Sequence, residues 1–243
     1  MTTASLPLQV LVISLHRSLD RRAKAAQELQ KTSLSWTFLD AVDGSALQTP
    51  PPEYKALKVK CLQGYELTPN EIGCYLSHKE AWKYCVEKNI PTLIFEDDFV
   101  LTPEFEHVVS VLLSSPNSWS FIRLQGLYEV SYQDISVIDG IHLVKNIGDA
   151  VGATAYLLKP EIARVLIHQS ADIYEPVDHF LEHQKKHGLE FLAVRPYPVD
   201  ITRAKSTIDD RDERAPVQGL RKRFRSVARA LDRAFSKKPW FPR

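Results

Sequence analysis

Cysteine is scarce in this chain: Cys61, Cys74 and Cys85 are all there is. An odd count without paired spacing argues against a disulfide framework, and a reducing compartment is the simpler expectation. The Cys-x-x-Cys spacing of structural zinc sites does not occur. Cys74, His78 and Cys85 fall near one face of an expected helix, but no second ligand pair follows them, so zinc is not the expected metal. No apolar run approaches the length that spans a bilayer. Residues 1–15 lack a basic n-region and lead straight into a strand-like segment, so no signal peptide is expected. No Gly-x-Gly-x-x-Gly follows that first strand, which removes the dinucleotide-binding fingerprint.

Net charge is nearly absent too, at +1 over 243 residues. The balance hides an asymmetry. Residues 219–243 hold nine Lys or Arg and one acid, a charge of +8, which leaves −7 on the rest. Within that tail Leu220, Phe224, Val227, Leu231 and Phe235 recur at helical spacing, with Arg221, Lys222, Arg223, Arg225, Arg229 and Arg233 between them. Such a basic amphipathic helix, followed by Trp240 and Phe241, suits an anionic membrane interface. The plainer alternative is a helix packed on the body with its charges in water. Nucleic acid is not expected, because the basic run lacks the aromatic interleaving of a single-strand binder. Apolar and charged fractions of 44% and 25% are ordinary for a globular protein. The expected division is a folded unit over 1–210 and a basic tail over 211–243.

Taken in order, residues 10–15 (VLVISL) read as a buried strand, 19–31 as a helix of good intrinsic propensity, and 35–42 as a second strand ending at Asp43-Gly44. Strand, helix and strand at this spacing make a Rossmann-like βαβ unit. Its first turn carries His16, Arg17, Asp20, Arg21 and Arg22, a basic loop able to meet phosphates. Plain surface charge is the better reading for at least one of Arg21 and Arg22. Residues 54–64 carry no clear pattern. Thr68-Pro69-Asn70-Glu71 is a helix start with a capping box, and the helix should run to residue 88 on a buried stripe of Ile72, Tyr75, Leu76, Trp82, Cys85 and Val86. A helix is expected at 103–113, a strand at 119–124, and a hairpin at 135–144 turning on Asp139-Gly140. Gly152-Ala153-Thr154-Ala155-Tyr156 puts small residues before a strand, where backbone can approach a bulky ligand. Helices are expected at 160–170 and from Pro176-Val177-Asp178 to His187-Gly188. A last strand at 189–194 and a loop at 195–206 complete the body.

The chemistry concentrates at Pro91-Thr92-Leu93-Ile94-Phe95-Glu96-Asp97-Asp98. A short apolar run that ends in three acids reads as a central strand delivering carboxylates to its C-terminal end. Three clustered carboxylates repel, and a divalent cation relieves that cost. Side-chain alternation should put Glu96 and Asp98 on one side and Asp97 on the other. Two hard oxygen ligands suit Mn2+ or Mg2+. A solvated acidic turn is the plain alternative.

Together these stretches resemble glycosyltransferase family 25, the bacterial lipooligosaccharide galactosyltransferases related to collagen galactosyltransferases. The resemblance rests on Val12-Ile13-Ser14-Leu15 with Asp20-Arg21-Arg22; on Ala41-Val42-Asp43-Gly44; on Leu67-Thr68 with Glu71-Ile72-Gly73-Cys74-Tyr75-Leu76-Ser77-His78; on Ile94-Phe95-Glu96-Asp97-Asp98; on Gly152-Ala153-Thr154-Ala155-Tyr156; on Pro176-Val177-Asp178; and on Ser206 with Ile208. Ser14 departs from the Asn usual there.

The resemblance implies a GT-A-like fold binding a UDP-sugar at the strand C-termini, with inversion at the transferred sugar. Glu96 and Asp98 would hold Mn2+ (or Mg2+) against the diphosphate, with Asp97 near the ribose or sugar. Ser14, Leu15 and Arg21 would line the nucleotide pocket, Ser77 and His78 would project toward the donor, and Gly152 and Ala153 would leave room for the hexose. Ser206 belongs to the same donor set. Asp178 would be the general base, with Glu175 and Asp149 as runners-up; a helix N-cap is the plain role for Asp178. The implied reaction moves a hexose, galactose above glucose, onto a lipooligosaccharide-type core at the cytoplasmic face of the inner membrane. The contrasting class is a non-catalytic sugar-nucleotide or glycan-binding protein on the same fold.

Overall fold

The computed structural model describes residues 6–202. The basic tail, the boundary at 210 and Ser206 lie outside them.

Hydrophobic alternation along the first strand decides the layering. In β1 (Gln9–Ser14), Leu11 and Ile13 pack into one apolar cluster and Val10 and Val12 into another, so the strand is covered on both faces. After α1 (Leu19–Leu29), β2 (Thr37–Asp40) returns parallel beside β1, with Leu11 opposite Thr37. This is the expected crossover unit. A short helix, α2 (Ala56–Leu62), occupies the stretch whose sequence shows no pattern. It precedes α3 (Pro69–Lys88), which begins at the capping box: Thr68 Oγ1 accepts from the Glu71 N–H, and the Glu71 carboxylate accepts from the Thr68 N–H. Next, β3 (Thr92–Glu96) pairs with the free side of β1, again in parallel.

The chain continues through β4 (Phe99–Leu101), α4 (Phe105–Ser114), β5 (Phe121–Arg123), the hairpin β6 (Ser131–Ile138) and β7 (Ile141–Ile147), β8 (Ala155–Leu158), α5 (Pro160–Gln169), the short turns of helix α6 (Val177–Phe180) and α7 (Gln184–His187), β9 (Leu192–Arg195) and β10 (Val199–Ile201). Among the described residues, eight strands form one mixed sheet in the order β2-β1-β3-β8-β5-β9-β7-β6, and β10 pairs antiparallel with β4. One face carries Trp82, Tyr75, Tyr156 and Phe180 from α3, β8 and α6; the other carries Leu29, Phe95, Phe105 and Leu112 from α1, β3 and α4. The chain is therefore a mixed α/β unit with a large sheet flanked by helices.

Three expectations change. The helix after Asp178 is broken into α6 and α7. The loop after Arg195 contains β10, a three-residue strand too short to show a period. On α3, Leu76 and Val86 are only half-buried, while Ser77, His78 and Lys79 are buried. That helix is enclosed by the sheet, α5, α6 and the 42–44 turn, so a single apolar stripe does not describe it.

Candidate functional site

The parallel strands β1, β2 and β3 end together, and a cavity of about 550 Å³ opens at their C-terminal ends. This is where ligands bind in open α/β sheets. Close backbone packing builds one wall. A Cβ added at Gly73 would lie 2.6 Å from the Val42 carbonyl and 2.7 Å from the Gly44 nitrogen. Glycine at that position lets α3 press on the Asp43-Gly44 turn. Ser77 pins the same contact: its hydroxyl donates to the Gly73 carbonyl and accepts from the Val42 N–H.

The acids divide differently from simple strand alternation, because β3 ends at Glu96 and Asp97-Asp98 forms a turn. Glu96 is gripped from α3 and from the segment before β8. Cys74 Sγ lies 3.5 Å and His78 Nε2 3.3 Å from Glu96 Oε1, and the Thr154 hydroxyl donates to Oε2 at 3.2 Å. Asp97 accepts from Ser14 Oγ at 2.5 Å and from Arg21 at 2.8 Å. The same Arg21 guanidinium stands 3.6 Å from Asp98. Thus Asp97 and Asp98 share a cation, and Glu96 stands apart with its own partners.

Electrostatics follows from these contacts. Burial, then the neighbouring Glu96 carboxylate, pushes Asp98 up to about 7, against the pull of Arg21. Burial also raises Asp97, opposed by the Ser14 bond and Arg21. For Glu96, burial works upward but is outweighed by the His78 contact and the Cys74 and Thr154 hydrogen bonds, which leave it below the ordinary carboxylate range. One oxygen of Asp98, Oδ1, is buried with no hydrogen-bond partner among the described residues. An unpaired buried acceptor at a carboxylate cluster is what a divalent cation would satisfy. Cys74, His78 and Glu96 also bring ligand atoms within 4.8 Å of one another. Cys85 takes no part in that group; its thiol donates to the Ile90 carbonyl.

The family model for glycosyltransferase family 25 (LPS biosynthesis protein) matches residues 8–181. The chain belongs to that family. Among curated family 25 relatives, a rat (Rattus norvegicus) protein named probable inactive glycosyltransferase 25 family member 3 is 33% identical over 186 residues, covering 71% of this chain and 32% of its own length. Human procollagen galactosyltransferase 2 is 33% identical over 115 residues, covering 44% of this chain and 18% of its own. A mosquito (Aedes aegypti) glycosyltransferase 25 family member is 25% identical over 241 residues, 88% of this chain and 39% of its own. The chain spans about a third of the rat relative it matches.

Most of the residues singled out from the family 25 motifs meet at the cavity: Ser14, Leu15, Arg21, Ser77, Glu96, Asp97, Asp98, Gly152, Ala153 and Asp178 all line it. Two do not. His78 is fully buried behind Glu96, where its Nδ1 lies 2.7 Å from the Tyr156 hydroxyl and Trp82 Nε1 donates to that same hydroxyl. It braces the carboxylate rather than lining the cavity. Glu175 is buried against His183, 2.6 Å away, outside the lining. Asp178 is not the helix cap; Pro176 holds that position, and Asp178 sits half-buried on the cavity wall, accepting from the His179 N–H. Asp149 is exposed and off the lining. Of the paired arginines, Arg21 meets the acids, while Arg22 bonds the Ser14 carbonyl and Asp40 and lies over the Phe38 ring.

Sequence reasoning missed Gln125 and Thr154 on the lining, and missed the Arg123–Glu182 pair behind it. Thr154 lies within the Gly152–Tyr156 run, whose signal is its small residues rather than its hydroxyl. Nothing local marks Gln125, Arg123 or Glu182, whose partners lie tens of residues away.

Proposed function

We propose that this family 25 chain is an inverting hexosyltransferase that takes galactose from UDP-galactose, with the donor in the cavity at the ends of β1 and β3. The observation that carries this reading is the cluster of Glu96, Asp97 and Asp98 beside Arg21, with Asp98 Oδ1 left unpaired. A non-binding surface has no reason to gather three carboxylates, Asp97 buried and Glu96 and Asp98 half-buried, at one cavity. Parallel strands delivering acids to a cavity fit the GT-A-like fold expected from the motifs. The name of the human relative supports galactose, and the family description supports a lipopolysaccharide-type glycan acceptor.

Glu96 and Asp98 fit Mn2+ or Mg2+, since both present oxygen and both line the cavity. The cation, when bound, supplies Lewis-acid neutralisation of charge on the departing UDP. The chain's own residues do the rest. Arg21 fixes the Asp97-Asp98 turn and lends positive charge to the diphosphate side. Gly152, with φ near +86°, leaves the sugar side open; a Cβ there would meet Gln125 Oε1 at 2.7 Å. Asp178, rather than Glu175, takes the proton from the acceptor hydroxyl, because it is the one of the two on the lining.

A second reading has a specific observation behind it: the rat relative is named as probably inactive. On that reading the chain binds a sugar nucleotide without transferring it. UDP release from UDP-galactose and UDP-glucose, with Mn2+ and with EDTA, separates the two. Metal-dependent release from one donor, lost in Asp98→Asn, supports the transferase; UDP binding without release under all conditions supports the binding protein.

The basic amphipathic pattern of residues 219–243 supports placement at the anionic cytoplasmic face of a membrane, beside a lipid-linked acceptor. Vesicle co-sedimentation tests it: removal of those residues should abolish binding to anionic vesicles, and unchanged binding would overturn it.

A further inference from the structure

A second concavity, an open groove of about 1000 Å³, adjoins the donor cavity and shares Gln125, Leu127 and Ile201 with it. We propose that this groove is the acceptor subsite and that it is built to hold a saccharide. The inference rests on the donor reading given above.

Two tyrosine rings form its aromatic wall, and one buried arginine sets them. The Arg195 guanidinium lies 3.9 Å from the Tyr197 ring centroid and 5.3 Å from that of Tyr132. Arg195 is 7% exposed and donates to Glu129 at 3.3 Å and to the Asn146 side-chain Oδ1 at 3.0 Å; Asn146 Nδ2 in turn donates to the Tyr197 hydroxyl. Its Nε is buried with no partner among the described residues. Aromatic faces held in place by a guanidinium are preorganised to take the C–H face of a sugar ring.

The polar lining matches hydroxyls. Glu129 and Asp200 supply carboxylate acceptors and His142 an imidazole, which together suit a ligand rich in O–H donors. The wall next to the donor is equally specific. A Cβ at Gly126 would fall 2.6 Å from the Tyr197 hydroxyl, so glycine lets that ring lie against the backbone between the two cavities. Gln125, 3% exposed, lines both cavities, and its Oε1 has no partner among the described residues. A sugar hydroxyl at the junction would satisfy it, at the boundary an acceptor hydroxyl must occupy to reach the donor.

The test is methyl-resolved NMR on the full chain with Leu127 and Ile201 assigned, titrated with methyl β-glucoside, methyl N-acetyl-β-glucosaminide and methyl β-lactoside. A procollagen-type peptide runs in parallel, and UDP affinity is measured on the same samples. At least one glycoside should shift both methyls. Tyr132→Ala, at an exposed edge-strand position, should weaken that glycoside about tenfold and leave UDP affinity unchanged. Asp200→Asn should weaken it as well. The proposal is overturned if no glycoside moves these methyls, if Tyr132→Ala binds the glycoside as tightly as the parent, or if the peptide moves them and the glycosides do not. Glycoside binding without any UDP binding would refute the donor reading instead, and with it the groove's role as an acceptor subsite.

Discussion

Ser14 and Asp97 are joined by a 2.5 Å hydrogen bond, the Ser14 hydroxyl donating to the carboxylate across the ends of β1 and β3. The bond ties the first strand to the acidic turn and steadies a carboxylate that burial would otherwise raise further. Ser14→Ala should lower unfolding free energy by about 2 kcal/mol, the range for a buried hydrogen bond to a charged group. Urea denaturation measures it. An unchanged midpoint would mean that Arg21 alone holds Asp97.

A buried ion pair sets the far wall of the cavity. Arg123 and Glu182 meet at 2.7 Å, with side chains only 6% and 7% exposed. Arg123 also donates to the Val151 and Gly152 carbonyls, and Glu182 accepts from the Val151 N–H. Val151 needs that clamp, because its φ of +53° is a left-handed conformation that β-branched residues rarely adopt. Glu182→Ala should cost about 3–5 kcal/mol by stranding the arginine, and replacing both partners with apolar residues should recover part of the loss. Chemical denaturation of the single and double variants checks both.

Acid should loosen the α6–α7 region. Burial holds His187 down to about 4, while its Nε2 donates to the Phe180 carbonyl. Between pH 4 and the unfolded value near 6.5, the unfolded chain takes up a proton that the native chain refuses. Stability from this group is therefore complete above about 6.5 and falls as pH drops toward 4, by at most about 3 kcal/mol. His187→Gln should flatten that part of the thermal-stability profile. An equally steep profile in the variant would assign the slope to other groups.

The three thiols should separate by reactivity. Burial pushes Cys85 up to about 11 and removes it from solvent, whereas Cys61 is exposed on α2. With iodoacetamide at pH 8, mass spectrometry should find Cys61 alkylated first and Cys85 last, since the thiolate is the reactive form. Early labelling of Cys85 would mean that α3 opens readily.

Local signals in the sequence located local structure well. The Thr68–Glu71 capping box starts α3, and Asp139-Gly140, both at positive φ, turns the β6–β7 hairpin. The acidic end of β3 and the small residues at 152–153 were legible because composition changes abruptly there. His78 was misplaced because α3 is enclosed on several sides, so spacing does not say which neighbour a residue meets. Asp97 and Asp98 share Arg21 because strand alternation stops where β3 stops, at Glu96. Gln125 and Arg195 carry no local signature; their partners come together only when β5, β7 and β9 pair.

The central claim, that Asp98 completes a cation-assisted UDP site at the end of β3, is tested most directly by calorimetric titration of UDP. The titration is run with and without Mn2+ on the parent and on Asp98→Asn. The account predicts binding that tightens markedly with Mn2+ in the parent, and a metal effect lost in Asp98→Asn while the variant unfolds at the parent's temperature or above. Mn2+-dependent binding that survives in Asp98→Asn, or no UDP binding by the parent in either condition, would contradict it.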